Sequence, residues 1–206
     1  MVESPPRAVV PVGTWVRTCH RGCNPMNRGA ANRPPIDTIV TERAVLEPLT
    51  VGHALEMVET LGHPSLYEFI GGTPPSLAEL QRRYALQSIG HSEDGSQWWL
   101  NWVVRPPGST APAGYVQATV ESRTRGAEAD LAWVIAPQFQ HKGLATAATN
   151  AVIQWLKTAG IEMFAAYIHP DNEASNSVAR RVGMHPTPII EDGEIRWELV
   201  SPITFS

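Results

Sequence analysis

The feature that most constrains this chain is a turn of small residues leading from an apolar strand into its strongest helix. The turn spans residues 140–145 (QHKGLA), in which Gly143 and Ala145 are small. Beyond it, apolar residues recur at three- and four-residue spacing from Leu144 to Leu156, which predicts an amphipathic helix packed on a core. Gly160 is placed to end this helix. A strand, a turn and a helix in direct succession predict a domain that mixes both elements around a sheet.

The same turn has the properties of an anion site. The first N–H groups of a helix have no intrahelical partner, the helix dipole adds positive charge, and small residues let a phosphate come close. No Asp or Glu occurs from Leu131 through Ile161, although the chain carries a net charge of −4. An alternative interpretation is that Gly143 and Ala145 only permit tight packing of the strand against the helix.

Periodicity and turn residues predict the remaining elements. We expect strands over residues 38–49, 98–105, 114–122, 128–136 and 162–168, helices over 50–61, 76–90 and 172–182, and a final strand pair around the Asp192-Gly193 turn. Ser76 and Glu79 form a capping box for the second helix. In the first helix, Thr50 is the expected cap, and one face carries Ala54, Leu55, Val58 and Leu61. The predicted fold class is α+β, a single domain on one mixed sheet.

The N-terminal 35 residues differ from the rest of the chain. They show no apolar period, and their prolines are Pro5, Pro6, Pro11, Pro25, Pro34 and Pro35. We therefore predict a disordered tail over 1–35 and a domain over 36–206. Because Met26 lies within this segment, an over-extended start codon is an alternative to a functional extension.

Composition excludes several classes of function. With 43% hydrophobic and 17% charged residues, the chain fits a soluble, cytoplasmic protein that acts neither in a membrane nor as a nucleic-acid binder. The only cysteines, Cys19 and Cys23, both lie in the predicted tail, so no disulfide framework supports the domain. They flank His20, but a structural zinc site needs four ligands, so no metal site is expected.

Two segments together resemble a known family. Residues 131–137 (LAWVIAP) with the following turn and helix, and residues 168–176 (IHPDNEASN) continued by 178–184 (VARRVGM), resemble the motifs of GNAT N-acetyltransferases. Within that family they are most similar to the branch typified by the N-terminal acetyltransferases of ribosomal proteins. The resemblance extends over about residues 39–205. It implies a mostly antiparallel sheet that splays at the cofactor site, helices on both faces, and acetyl-CoA as co-substrate.

The resemblance also assigns the cofactor contacts. The backbone of Val134 and Ile135 would pair with the pantetheine arm. The pyrophosphate would be held by the turn residues Gln140, His141, Lys142, Gly143, Leu144, Ala145 and Thr146. Asn172 and Ser175 would face the pantetheine and thioester. An alternative role for the pair is an ordinary helix cap, in which Asn172 accepts the N–H of Ser175, and both roles can coexist.

Catalysis in such a site consists mainly of positioning. The family typically transfers the acetyl group directly, which agrees with the absence of cysteine from residues 36–206. The N–H of Ile135 is the candidate oxyanion donor. Asp130 lies where many relatives carry a glutamate base, and Glu128 on the same strand face is its substitute. The alternative for both is a solvated carboxylate at the start of a strand.

The general acid and the acceptor are less defined. In many relatives a Tyr one turn before the closing Gly serves as the general acid, but this chain has Ala179 at that position. The remaining candidates for the acid are Ser175 and a bound water. The acceptor would be a primary amine, either of a small molecule or of a protein N-terminus, and the protein a monomer or a homodimer. A second hypothesis is an acyl-CoA-binding sensor that has lost turnover.

Aromatic residues mark the expected acceptor region. Tyr67 and Phe69 lie between the first two helices, a region that in this family covers the acceptor. Trp98 and Trp102 share one strand face, and Trp99 lies on the other. Packing in the core is the expected role of these tryptophans, although one side of their strand could reach the acceptor groove.

Overall fold

The computed structural model of the protein describes residues 35–123 and 126–200. Its elements in chain order are β1 (Ile39–Val40), β2 (Val45–Pro48), α1 (Ala54–Thr60), α2 (Leu77–Gln87), β3 (Gln97–Arg105), β4 (Gly114–Arg123), β5 (Gly126–Ile135), α3 (Leu144–Thr158), β6 (Met163–Ile168), α4 (Glu173–Arg181), β7 (His185–Glu191) and β8 (Glu194–Val200). No helix in these two ranges is long and apolar enough to cross a bilayer. The predicted tail, apart from residue 35, lies outside the described residues, as do Cys19 and Cys23.

The strands form one sheet in the order β1-β2-β3-β4-β5-β6-β8-β7. Every neighbouring pair is antiparallel except β5 and β6, which are parallel. The mixed, mostly antiparallel sheet predicted from the sequence is therefore confirmed. The parallel pair arises because α3 connects β5 to β6 as a crossover.

The two parallel strands separate soon after they meet. β5 and β6 pair only at Glu128–Asp130 with Met163–Ala165, whereas β5 continues to Ile135 and β6 to Ile168. The gap between residues 131–135 of β5 and 166–168 of β6 is called the cleft below. It is closed at Asp130 and opens toward the C-terminal ends of both strands. The splayed sheet expected from the family resemblance is thus present.

The two faces of the sheet differ in chemistry. The apolar face packs against α3 and α4 in the main core, where Trp102 meets Trp155 edge to face at 5.4 Å between ring centroids. Strand register places Gln97, Trp99, Asn101, Gln117, Thr119, Glu121, Glu128, Asp130, Tyr167, Arg196 and Glu198 on the opposite side, the polar face. Helices α1 and α2 cover one end of that side, above Val103, Tyr115 and Val134. Helices on both faces are confirmed.

Two local predictions were wrong. The strand expected over 38–49 is two short strands, because Thr41 turns the chain by bonding Ala44 through both its main chain and its hydroxyl. Leu55 is 71% exposed instead of lying on the packed face of α1. A 3-10 turn over Val51–His53 precedes α1, and its tighter winding rotates the later residues, so that Met57 packs inward.

The capping box predicted for α2 is confirmed, whereas Thr50 does not cap α1: it precedes the 3-10 turn, and the N-cap residue of α1 is His53. Ser76 caps α2, since its hydroxyl accepts the N–H of Glu79 at 3.4 Å while the Glu79 carboxylate accepts the N–H of Ser76 at 2.8 Å. Trp98 and Trp102 share the apolar face, whereas the Trp99 indole lies on the polar face and donates to Gln97 at 3.0 Å.

Candidate functional site

The turn between β5 and α3 contains two residues in the left-handed region. His141 has φ 59° and Gly143 has φ 75°. Turns that contain left-handed residues can direct successive N–H groups toward one point, an arrangement that binds anions and is called a nest. Gly143 adopts this conformation at no steric cost, but His141 is a non-glycine residue held there by its surroundings. α3 begins directly after Gly143, its first-turn N–H groups have no acceptor within the helix, and that turn has no acidic residue.

Gln140 anchors this turn to the end of β5. Its side-chain Nε2 donates to the carbonyl oxygen of Ile135 at 2.8 Å, and its own N–H donates to Pro137 at 3.2 Å. Both kinds of donor on Gln140 are therefore used within the protein. Lys142 extends over the outside of the turn, where its Nζ donates to the main chain of Gln138 at 3.0 Å.

Arg43 is a cation at this site that sequence reasoning missed. Its Nη1 lies 3.7 Å from the position that a Cβ on Gly143 would occupy. Arg43 lies in the turn between β1 and β2, far from Gly143 in the chain. Strand order brings the two together, because that turn and the C-terminal end of β5 lie at the same end of the sheet. No signal in the linear sequence links them.

The edge of β5 presents main-chain groups to the cleft. Ala136 donates its N–H to Ala113 on the β4 side at 2.8 Å. Hydrogen-bonding direction alternates along an antiparallel strand, so the N–H and C=O of Ile135 point away from β4, toward the cleft. Its carbonyl is taken by Gln140, which leaves the N–H directed into the cleft. The Val134 carbonyl points toward β4, so Val134 contributes to the cleft edge only through the peptide bond that it shares with Ile135.

Asp130 lies at the closed end of the cleft on the polar face. It pairs across the sheet with Thr119 on β4 and Ala165 on β6. Among the described residues, its Oδ1 is buried without a hydrogen-bond partner. Burial, followed by the nearby charge of Glu128, raises the pKa of Asp130 to about 6. An unpaired carboxylate with such a pKa is suited to accept a proton near neutral pH.

Glu128 is in a different state. Its Oε2 accepts a hydrogen bond from Nη2 of Arg196 at 2.7 Å, and Nε of Arg123 lies 3.6 Å from its Oε1. Both oxygens of Glu128 are thus directed at guanidinium groups. Of the two carboxylates that the sequence singled out, Asp130 is the one with no cationic side chain in contact within residues 35–123 and 126–200.

The helix after β6 begins at the mouth of the cleft. The Asn172 side chain accepts the N–H of Ser175 at 3.1 Å, which is the expected N-terminal cap of α4. Ser175 is half-buried in the first turn of this helix. Ala179, one turn further on, is fully buried in the main core. Position 179 therefore holds no side chain that could donate a proton.

The loop between α1 and α2 reaches the cleft. The ring of Phe69 lies 5.4 Å from the ring of His169, which follows β6. Tyr67, in contrast, is buried, and its hydroxyl donates to the main chain of Leu61 at 2.8 Å. Phe69 thus covers the cleft end, whereas Tyr67 supports the loop from within.

Comparison with known proteins agrees with this architecture. The family model described as Acetyltransferase (GNAT) domain matches residues 43–185. The chain belongs to the GNAT acetyltransferases. A sequence comparison with curated proteins gives no match.

Solved structures share the GNAT fold of this chain. A microcin C7 self-immunity acetyltransferase in complex with acetyl-CoA and AMP superimposes with a TM-score of 0.67 and 18% identity, over 82% of this chain and 98% of the other. The ribosomal-protein alpha-N-acetyltransferase RimL in complex with coenzyme A gives 0.66 and 17%, over 79% and 96%. An aminoglycoside acetyltransferase in complex with coenzyme A gives 0.64 and 18%, over 76% and 94%. At these identities the likeness establishes the fold.

Proposed function

We propose that this GNAT protein transfers an acetyl group from acetyl-CoA to a primary amine, by direct attack within a ternary complex. One observation carries the proposal. The cleft between β5 and β6 has a turn suited to anions at its open end and, at its closed end, a carboxylate with one buried oxygen that lacks a partner among the described residues. A substrate with phosphates at one end and a reactive thioester at the other matches that order of groups.

The residues of the turn fit the phosphates of acetyl-CoA. The nest at His141 and Gly143 and the first turn of α3 supply N–H donors, and Arg43 and Lys142 supply positive charge. Leu144, Ala145 and Thr146 contribute through their main chain, while Gln140 holds the turn in place. A pantetheine arm would run along the cleft past Ile135, with Asn172 and Ser175 on the opposite side.

Acetyl transfer needs an amine that has lost its proton. Asp130 removes the proton from the ammonium group, since its raised pKa still leaves it ionised above about pH 6. The neutral nitrogen then attacks the acetyl carbon. The N–H of Ile135 stabilises the negative charge that develops on the acetyl oxygen, because a fixed donor needs no reorganisation during the reaction.

The acceptor approaches over the polar face. Amide and carboxylate side chains form the floor of that face, and among the described residues of β4, β5 and β8 the acidic Glu121, Glu128, Asp130 and Glu198 outnumber Arg123 and Arg196. This excess of negative charge favours an acceptor that arrives as a cation. Both a protein N-terminus and a small polyamine-like molecule meet this requirement, and relatives that share the fold act on acceptors of both kinds by their descriptions.

Acceptor-dependent release of free thiol tests the proposal. The protein is incubated with acetyl-CoA and a panel of amines that includes peptides with free N-termini and small polyamines. We expect thiol release with at least one amine, intersecting lines in two-substrate kinetics, and no acetylated enzyme by intact-mass analysis. Parallel lines together with an acetylated protein would contradict direct transfer.

A second function, an acyl-CoA sensor, has one observation in its favour. Ala179 is buried where many relatives carry a tyrosine acid. A sensor would bind acetyl-CoA tightly by calorimetry and release no thiol with any amine of the panel. Turnover with one amine would exclude it.

A further inference from the structure

The departing sulfur needs a proton, and the chain offers a donor other than Ser175. A free thiol has a pKa near 8.5, and a general acid works best when its own pKa is close to the working pH. An alcohol such as Ser175 is a far weaker acid than a phenol, whose pKa is about 10. A tyrosine at the cleft would therefore be the better proton donor.

Tyr167 lies at the lip of the cleft. It is two residues beyond Ala165, the partner of Asp130 in the last pair that joins β5 to β6. Side chains alternate along a strand, so Tyr167 is on the same polar face as Asp130. Extending the β5–β6 register by two residues would place Ala132, whose side chain is only a methyl group, across the cleft from Tyr167.

Arg196 contacts the phenol of Tyr167 directly. Its Nη1 donates to the hydroxyl oxygen of Tyr167 at 2.8 Å, and its guanidinium carbon lies 5.5 Å from the ring centroid. Arg196 is itself held by Glu198 at 2.6 Å and Glu128 at 2.7 Å. Burial is the larger effect and raises the pKa of Tyr167, and the hydrogen bond and charge of Arg196 offset part of that rise by stabilising the phenolate. The guanidinium of Arg196 is thus held beside the phenol oxygen, where negative charge would develop when Tyr167 loses its proton.

The other three tyrosines of the chain are less suited. Tyr67 is bonded to the main chain of Leu61. Tyr84 is buried in the cluster beneath α1 and α2, and Tyr115 packs against the same cluster opposite Val134. Tyr167 is the tyrosine on the β6 side of the cleft.

We propose that Tyr167 is the general acid that protonates the departing CoA sulfur, with Arg196 as its positioning residue. This role rests on the proposed acetyl transfer. The amine nitrogen bonds to the acetyl carbon as the carbon–sulfur bond breaks, and the sulfur takes the phenolic proton. The phenolate then regains a proton from the new amide nitrogen. Asp130 releases to solvent the proton that it took from the ammonium group.

Replacing Tyr167 with phenylalanine tests this role. We expect Tyr167→Phe to bind CoA as the unaltered protein does, to lose about 100-fold or more in kcat, and to lose the alkaline limb of the kcat profile. Tyr67→Phe is the matched control, because it removes a phenol bonded to the main chain and keeps that limb. A Tyr167→Phe protein with kcat within threefold and an unchanged alkaline limb would overturn the proposal.

Two further measurements protect the test from misfolding. Arg196→Gln removes the cation beside the phenol, so the alkaline limb should move to higher pH. Site-specific 3-fluorotyrosine at position 167 preserves the shape and acidifies the phenol, so the limb should move to lower pH. A limb that stays in place in both proteins rejects Tyr167 as the acid. Absence of thiol release from the unaltered protein with every amine would instead refute the proposed acetyl transfer.

Discussion

The main-chain oxygen of Val134 lies 1.9 Å from the point where a Cβ on Gly114 would stand. No side chain fits at that distance, so β4 and β5 approach closely only because residue 114 is glycine. The contact lies beside the cleft, at the peptide bond that joins Val134 to Ile135. The position of the cleft edge therefore depends on a residue of the neighbouring strand.

Gly114→Ala should move this edge. We expect a loss of about 1–3 kcal/mol in the free energy of unfolding, because backbone atoms must shift to admit the methyl group. Affinity for CoA should also fall. Denaturant unfolding and calorimetry measure the two effects. Gly52→Ala is the control, since its Cβ would meet only the Thr50 hydroxyl at 3.6 Å; equal stability of the two variants would contradict the prediction.

Arg43→Gln should weaken binding of CoA. The guanidinium faces the turn at Gly143, and an exposed cation near a phosphate is expected to contribute on the order of a five- to fiftyfold change in affinity. Titration with CoA and with 3′-dephospho-CoA identifies the phosphate concerned. A loss for CoA alone indicates the 3′-phosphate, and an equal loss for both indicates the pyrophosphate. Unchanged affinity for both would remove Arg43 from the site, and Arg82→Gln on α2 is the control.

Gly143→Glu should abolish binding of CoA at the turn. The substitution places a carboxylate among the phosphate donors and a side chain at φ 75°. We expect a fold that circular dichroism shows to be largely retained and an affinity lowered by at least 100-fold, on the order of 3 kcal/mol. Retained affinity would remove the basis for assigning the turn.

Asp130→Asn should abolish the acid limb of the kcat/KM profile. Asp130 works as a base only when ionised, so activity of the unaltered protein should fall as pH drops through about 6. The variant should lose about 100- to 10,000-fold in rate. Full activity with an unchanged profile would exclude Asp130 as the base.

The same substitution should raise stability at neutral pH. The pKa of Asp130 is higher in the folded protein than its ordinary value of 3.8. The folded state therefore binds more protons than the unfolded state between about pH 4 and 6, and stability falls as pH rises through that window. Asp130→Asn removes the buried charge, so its melting temperature should exceed that of the unaltered protein at pH 7.5 and approach it at pH 4. A lower melting temperature at pH 7.5 would contradict the burial argument.

Local signals in the sequence predicted much of the fold. Ser76 and Glu79 are three residues apart, so their capping box could be inferred directly, and the spacing in α3 identified its buried face. Leu55 was misplaced because a 3-10 turn changed the helical phase, which hydrophobic spacing alone does not reveal. The sheet splay was expected from the family resemblance and not from periodicity.

Contacts between distant strands could not be predicted. Arg43 reaches Gly143, and Arg196 reaches both Tyr167 and Glu128, only after the strand order and register are known. In the linear sequence, nothing ties Arg43 or Arg196 to the site. The unpaired state of Asp130 has the same origin, because Arg196 and Arg123 contact Glu128 instead.

Three residue pairs are all that join β5 to β6. In mechanical terms the sheet is two panels, β1 to β5 and β6 to β8, with a narrow seam at residues 128–130. An extended ligand lying beside residues 131–135 would serve as an additional strand and link the panels along their free length. Occupancy of the cleft would then slow amide hydrogen exchange in β6 and β8 as well as in β5, although the C-terminal panel lies beyond the ligand.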